Sequence, residues 1–198
     1  MEDGSIDLLL TDPPWVEQNN SSLMGAGQER TTLRLLLRVA PRVCKRLIVI
    51  LGNYCDPTIL SGIQNDMPFV VAVPLRYTPP PYKGRILREY DIAYVYGSAE
   101  LPEHRKIFPG SARYIYTAQR WESIAHPCPR PLQHMQALVA GFSNEGDVIY
   151  DPFAGSGTTL VAAKKLGRNW VASEIDPRWI DAAKERIAAA REQTRLDI

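Results

Sequence analysis

Cysteine is scarce in this sequence: Cys44, Cys55 and Cys128 are the only three in 198 residues, and no two form a C-x-x-C pair. An odd number at these spacings excludes a disulfide framework and a zinc knuckle, and leaves reduced thiols as the expectation. Long apolar runs are missing too. None approaches the roughly 18 residues of a membrane span, and no signal peptide precedes the first apolar segment, so an intracellular, cytoplasmic protein with no membrane contact is expected. Repeats and low-complexity tracts are absent, so a solenoid is not expected. Nor is there an excess of one charge: 23 basic and 22 acidic residues give a net +1.

The charge that is present is unevenly spread. Residues 1–73 carry six basic and eight acidic side chains, whereas residues 74–131 carry nine and five. The middle stretch, with Arg76, Lys83, Arg85, Arg88, Arg105 and Lys106, is the expected nucleic-acid contact. The bland alternative is a solvated face of uneven charge.

Short apolar runs alternate with amphipathic stretches, the pattern of an α/β fold with a mostly parallel sheet flanked by helices. Ile6–Leu10 is a buried strand stopped by Thr11-Asp12-Pro13-Pro14. Glu29–Val43 is a helix with Leu33, Leu36, Leu37 and Ala40 on one face and Arg30, Arg34, Arg38 and Arg42 along another. Arg46–Leu51, Phe69–Tyr77, Asp91–Tyr96, Asp147–Tyr150 and Trp170–Ile175 follow as strands. Asp56-Pro57 opens a short helix, 132–142 and 158–166 are helices, and Pro177 opens a last one running to about Arg191. Residues 98–125 show no firm periodicity. The length suits one domain over 1–198.

Two strand ends carry chemistry. Asp151-Pro152-Phe153-Ala154-Gly155-Ser156-Gly157-Thr158 lies between a strand and a helix, where glycines let the backbone turn tightly and approach a ligand. No Gly-Lys-Ser/Thr follows, so it is not a phosphate-gripping loop, and the third glycine of the dinucleotide fingerprint is missing. Glu174, 23 residues after Asp151, is placed to accept both hydroxyls of a ribose, and Asp151 to pair with an ammonium. A ligand with ribose and ammonium but no phosphate is S-adenosylmethionine. The alternative is a purely structural turn.

The second strand end is Asp12-Pro13-Pro14-Trp15. An exocyclic base amine is a poor nucleophile because its lone pair is delocalised. The Asp12 carboxylate and the Pro13 carbonyl can accept its two N–H bonds and favour a tetrahedral nitrogen. Pro13 and Pro14 stiffen the turn, and Trp15 offers a face on which an extruded base can stack. Otherwise Asp-Pro-Pro only ends a strand and Trp15 fills the core.

Together these motifs resemble the permuted β-class of DNA amino-methyltransferases, in which D-P-P-[YFW] precedes F-x-G-x-G. His126-Pro127-Cys128-Pro129-Arg130-Pro131 is similar to the family's H-P-x-x-K/R-P segment, and Arg88-Glu89-Tyr90-Asp91 to its H-E-x-I/L element with Arg for His. The resemblance implies a Rossmann-like sheet whose last strand runs antiparallel, and S-adenosylmethionine bound by Asp151, Phe153, Ala154, Gly155, Ser156, Gly157, Thr158, Glu174, His126 and Arg130. It also implies catalysis by Asp12, Pro13, Pro14 and Trp15 on N6 of adenine in DNA, as in a restriction-modification enzyme. N4 of cytosine, RNA adenine, a homodimer and a non-catalytic nucleic-acid-binding subunit stay open. The family's further strand ahead of Ser5-Ile6-Asp7 is not found, which implies weak cofactor binding or a longer parent chain, and 98–122 is short for a target-recognition insert. Attack on cytosine C5 by Cys128 gives Asp12-Pro13-Pro14-Trp15 no role. A metal held by His126, Cys128 and His134 matches no standard spacing, so no metal is expected.

Overall fold

Successive strand residues face opposite sides of a sheet, so runs that are apolar at neighbouring positions call for cover on both sides. The computed structural model describes residues 1–14, 29–63, 67–80, 82–83, 85–87, 89–115 and 129–191. In it Ile6–Thr11 forms β1, with Leu8 and Leu10 in one apolar cluster and Leu9 with Ile6 in another. A run apolar on both faces must be covered on both. The elements that follow are α1 (Glu29–Val43), β2 (Cys44–Gly52), a 3-10 helix (Pro57–Gly62), β3 (Phe69–Thr78), β4 (Tyr82–Lys83), β5 (Ile86–Leu87), β6 (Tyr90–Gly97) and β7 (Ala112–Ile115). Then come α2 (Leu132–Phe142), β8 (Val148–Asp151), α3 (Thr158–Lys165), β9 (Asn169–Ala172) and α4 (Pro177–Ala189).

Seven strands form one sheet in the order β7-β3-β6-β2-β1-β8-β9, and β4 and β5 pair as a separate small arm. One face is covered by α2 and α3 through Met135, Leu138, Val139, Phe142, Ala162 and Leu166, the other by α1 and the 3-10 helix through Leu33, Leu37, Ala40 and Leu60. Helix α4 packs on α3 through Ala183 and Ile187 against Leu160 and Val161. Because β1 is apolar on both faces, its hydrophobic pattern does not fix its register. Asp7 helps to do so: its carboxylate accepts from Lys45 Nζ at 2.7 Å in β2 and from the Val148 amide at 2.9 Å at the start of β8.

The expected α/β sheet is there, with differences that have local causes. Among the described residues its one antiparallel strand is β6, which is not last in the chain but lies between β3 and β2. The connection from β3 through the β4–β5 arm is too short for the crossover helix that a parallel strand needs. The last strand ends at Ala172 rather than Ile175, because the Glu174 carboxylate accepts the amides of Gly155 and Asp176 and turns the chain away. Within the unassigned stretch, 112–115 form the edge strand β7, paired in parallel with β3. Asp56 caps the 3-10 helix as read, accepting the Thr58 amide at 2.9 Å. Among the described residues no helix is long and apolar enough to cross a membrane.

Candidate active site

Strands β3, β2, β1, β8 and β9 run the same way, so their carboxyl ends share one rim of the sheet, and β6, running against them, begins at that rim. This is the edge at which open α/β sheets bind ligands. Asp12 follows the last residue of β1, Asp151 closes β8, and the pairing Leu8↔Ile149 and Leu9↔Tyr150 brings the two strand ends side by side. The two acids read from the sequence therefore meet at one place.

Asp12 is held by Arg130, whose Nη2 donates to Oδ1 at 2.6 Å and whose Nε donates to Oδ2. Arg130 Nη1 donates to the Tyr77 hydroxyl at 3.0 Å and to Asp91 Oδ2, and the Tyr77 hydroxyl donates to the same Asp91 oxygen at 2.6 Å. Asp91 is fully buried while the Asp12 side chain is 25% exposed. Burial alone would pull the Arg130 guanidinium down, but the charges of Asp12 and Asp91 outweigh it and hold its pKa above the ordinary value. Pro129 and Pro131 flank Arg130 and fix the backbone on either side of it.

On the other side of the rim, Gly157 caps α3 at φ 77 and Gly155 sits at φ 49, both in the left-handed region that glycine adopts freely. The Asp151 carboxylate accepts the Phe153 amide at 3.1 Å and the Gly155 amide reaches Glu174 Oε2 at 2.7 Å, so the loop is folded around two acids. Desolvation pushes the buried Asp151 carboxyl up to about 7, the charges of Asp12 and Glu174 add to the rise, and bonds from Thr159 and Phe153 oppose it. From behind, Arg186 of α4 donates to Ser156 Oγ at 2.8 Å and to Thr158 Oγ1 at 3.2 Å. Ser156 and Thr158, both buried, are thereby structural supports of the loop, while Phe153, Ala154 and Gly155 form its more open side.

Several residues read from the sequence fall elsewhere. Arg130 faces Asp12 and Asp91 with all three guanidinium nitrogens. Arg105 and Lys106 follow β6 on the rim opposite Asp12, and Arg105 Nε donates to the Ala140 carbonyl at 3.1 Å near the end of α2. Arg76 lies near the carboxyl end of β3, paired with Glu89 at 3.1 Å, and exposed Arg85 lies in the β4–β5 turn, two positions after Lys83 of β4. Trp15, Arg88, His126 and Cys128 lie outside the described residues. His134, considered as a metal ligand, contacts the Arg76 carbonyl through Nε2 at 2.9 Å. Asp91, Tyr77 and Arg186 were not singled out as site residues. Only an acid at the start of an otherwise apolar β6 pattern hints at the first.

The donor set tests what would fit. Asp12, Asp151 and Glu174 line the rim, and among the described residues Arg130 and Arg186 are turned to Asp12 and Asp91 or to the back of the loop. Such a site repels a phosphate and suits hydroxyls and a cation. Each Glu174 oxygen accepts one amide and keeps a second lone pair for a hydroxyl.

A family model described as DNA methylase, of the N6/N4 methyltransferases, matches residues 76–185, more than half of the chain. Among curated proteins, the chain is 29% identical over 102 residues to the methylase YubD of Escherichia coli strain K12, covering 52% of this chain and 43% of YubD. It is 35% identical over 74 residues to the type II methyltransferase M2.DpnII of Streptococcus pneumoniae, covering 37% of this chain and 27% of that one. The matched segments thus span less than half the length of these relatives. The fold is shared with M1.HpyAVI, solved in complex with SAM, at a TM-score of 0.68 and 22% identity over 93% of this chain and 89% of that one.

Proposed function

The chain belongs to the DNA methylase family of N6/N4 methyltransferases, and from that premise we propose that it transfers a methyl group from S-adenosylmethionine to an exocyclic base amine in DNA, N6 of adenine before N4 of cytosine. One observation carries the reading: Asp12 and the cofactor-side acid Asp151 end neighbouring parallel strands and bear on one another electrostatically. The order of the motifs, acceptor strand before cofactor strand, supports the permuted β-class, and the chain reads as one catalytic domain whose target-recognition insert around 98–122 is short or absent. The type II relative supports a role in restriction-modification.

S-adenosylmethionine, when bound, supplies an electrophilic methyl carbon on a positively charged sulfur. Asp151 would take its ammonium and Glu174 its ribose hydroxyls, with Phe153, Ala154 and Gly155 closing over it. Asp12 and the Pro13 carbonyl accept the two amine N–H bonds, leaving the nitrogen lone pair directed at the donor, and Trp15 stacks the base. No metal enters this scheme. The deciding experiment incubates unmethylated duplex DNA of mixed sequence with methyl-labelled cofactor and chromatographs the nucleosides. Label in N6-methyladenine supports the reading, label in N4-methylcytosine moves the substrate to cytosine, and unlabelled DNA defeats it.

Asp151 gives a prediction with a definite sign. Its folded pKa, about 7, lies above the ordinary carboxylate value, so its stabilising contribution is full below about pH 4 and is lost as pH rises through about 7. Asp151→Asn is therefore expected to raise the Tm relative to wild type at pH 8 but not at pH 4. Loss of the ammonium partner is expected to weaken cofactor binding about 10- to 100-fold, as for a charged hydrogen bond. Calorimetry near pH 7 in buffers of different ionisation enthalpy should reveal proton release on binding. Equal enthalpies in all buffers would contradict an ionised Asp151 in the complex.

The basic residues divide by rim. Arg85→Ala is expected to weaken DNA binding and lower the slope of log K against log salt by about 1. Lys106→Ala, on the opposite rim, should change neither. Fluorescence titrations between low and high salt check both.

A further inference from the structure

The charged side chains behind Asp12 form a network that the methyl-transfer reading leaves without a role. Asp91 is fully buried and Arg130 nearly so, whereas Asp12, at the far end, is the partly exposed member at the rim. A guanidinium that only neutralised a buried acid would need one carboxylate. This one spans two, and it meets Asp12 through both oxygens, a fork that a lysine ammonium cannot reproduce. Its inner nitrogen is fixed in turn by Asp91 and by Tyr77, which donates to the same Asp91 oxygen.

We propose that Arg130, anchored by Asp91 and Tyr77, is the positioning residue that sets the orientation of the Asp12 carboxylate toward the target amine. The proposal rests on the reading of Asp12 as the acceptor for that amine. With one guanidinium N–H on each Asp12 oxygen, the carboxylate plane is fixed and each oxygen retains a lone pair for substrate. Asp91 prevents the guanidinium from following the substrate outward, and the flanking prolines keep its backbone still. The three charged groups together carry one net negative charge, so Asp12 remains an acceptor.

The test uses the full chain, mixed-sequence duplex DNA and labelled S-adenosylmethionine. Arg130→Ala is expected to lower kcat about 100-fold with calorimetric cofactor affinity unchanged within about twofold, and Arg130→Lys to recover little of the loss. Millimolar guanidinium should restore part of the Arg130→Ala activity and none of that of Asp12→Ala. Tyr77→Phe should show the same kcat-only effect, smaller. If Asp91, stranded by Arg130→Ala, prevents folding, the double variant Arg130→Ala/Asp91→Asn removes the buried charge, and its kcat must also be low and rescuable. Weakened cofactor affinity at unchanged kcat would make Arg130 a cofactor contact and overturn the proposal, as would the absence of rescue. A wild type that methylates nothing defeats the functional reading instead. In that event a thermal-stability cycle over Asp12→Ala and Arg130→Ala still decides the coupling: strong non-additivity supports it, and additive losses end it.

Discussion

Asp12→Ala is expected to lower kcat by about 10³-fold while leaving the affinity for S-adenosylmethionine within about twofold. In the proposed reaction the amine nitrogen must present a lone pair to the methyl carbon, and the groups that draw its protons out of the ring plane act only as that lone pair forms. Their loss therefore falls on kcat rather than on ground-state binding. Asp12 lies beyond the end of β1, and the loop at 153–158 is built on β8 and α3, so removing the carboxylate does not dismantle the loop. Asp12→Asn, which keeps an acceptor of the same shape, should retain more activity than Asp12→Ala. Single-turnover transfer with preformed enzyme–cofactor complex measures the chemical step. Full activity of Asp12→Ala would refute the mechanism.

Gly157→Val is the second large effect, and it arises from packing. At φ 77 a Cβ on residue 157 would lie 2.9 Å from Ala183 Cβ and 3.2 Å from Ala183 Cα. Neither atom belongs to a flexible side chain, so α4 has to move. The left-handed conformation costs about 1–2 kcal/mol for such a residue and overpacking about 1–3 kcal/mol. For a chain of this size that corresponds to a fall in Tm of roughly 10 °C. Displacing α4 also withdraws Arg186 from Ser156 and Thr158, so cofactor binding should be lost as well. Ala183→Gly in the same chain should recover part of the Tm. Normal Tm and normal cofactor affinity for Gly157→Val would show that the contact between α3 and α4 is not tight.

The contrast between these two sites explains what could be read in advance. Apolar runs ending in Asp-Pro-Pro or Asp-Pro-Phe-Ala-Gly disclose a buried strand and an abrupt stop, and parallel strands deliver such stops to one rim. Local chemistry sufficed there. Arg130 was different. The resemblance associates its segment with the cofactor, but its guanidinium lies on a residue 118 positions away, and side-chain direction across that separation depends on how the chain leads into α2. Asp91 looked like a strand boundary because its partners, Tyr77 and Arg130, come from β3 and from the segment before α2. The strand β7, four residues at a sheet edge, is too short to display a period. Arg105 counted toward a basic surface until its bond to the Ala140 carbonyl made it a stop for α2.

The reversed direction of β6 governs how this rim tolerates change. Strands β1, β3 and β8 contribute residues at or just past their ends, so anything inserted within them would push the reactive group outward. By contrast β6 contributes near its start: Asp91 faces Gly52 on one side and Leu75 on the other, and it is fixed by the ladder that comes after it. The β4–β5 arm, which lies upstream, is expected to tolerate lengthening, shortening or exchange without shifting that acid. A protein that needs to alter what it recognises while preserving its chemistry has, in this one inverted strand, a place to graft new sequence.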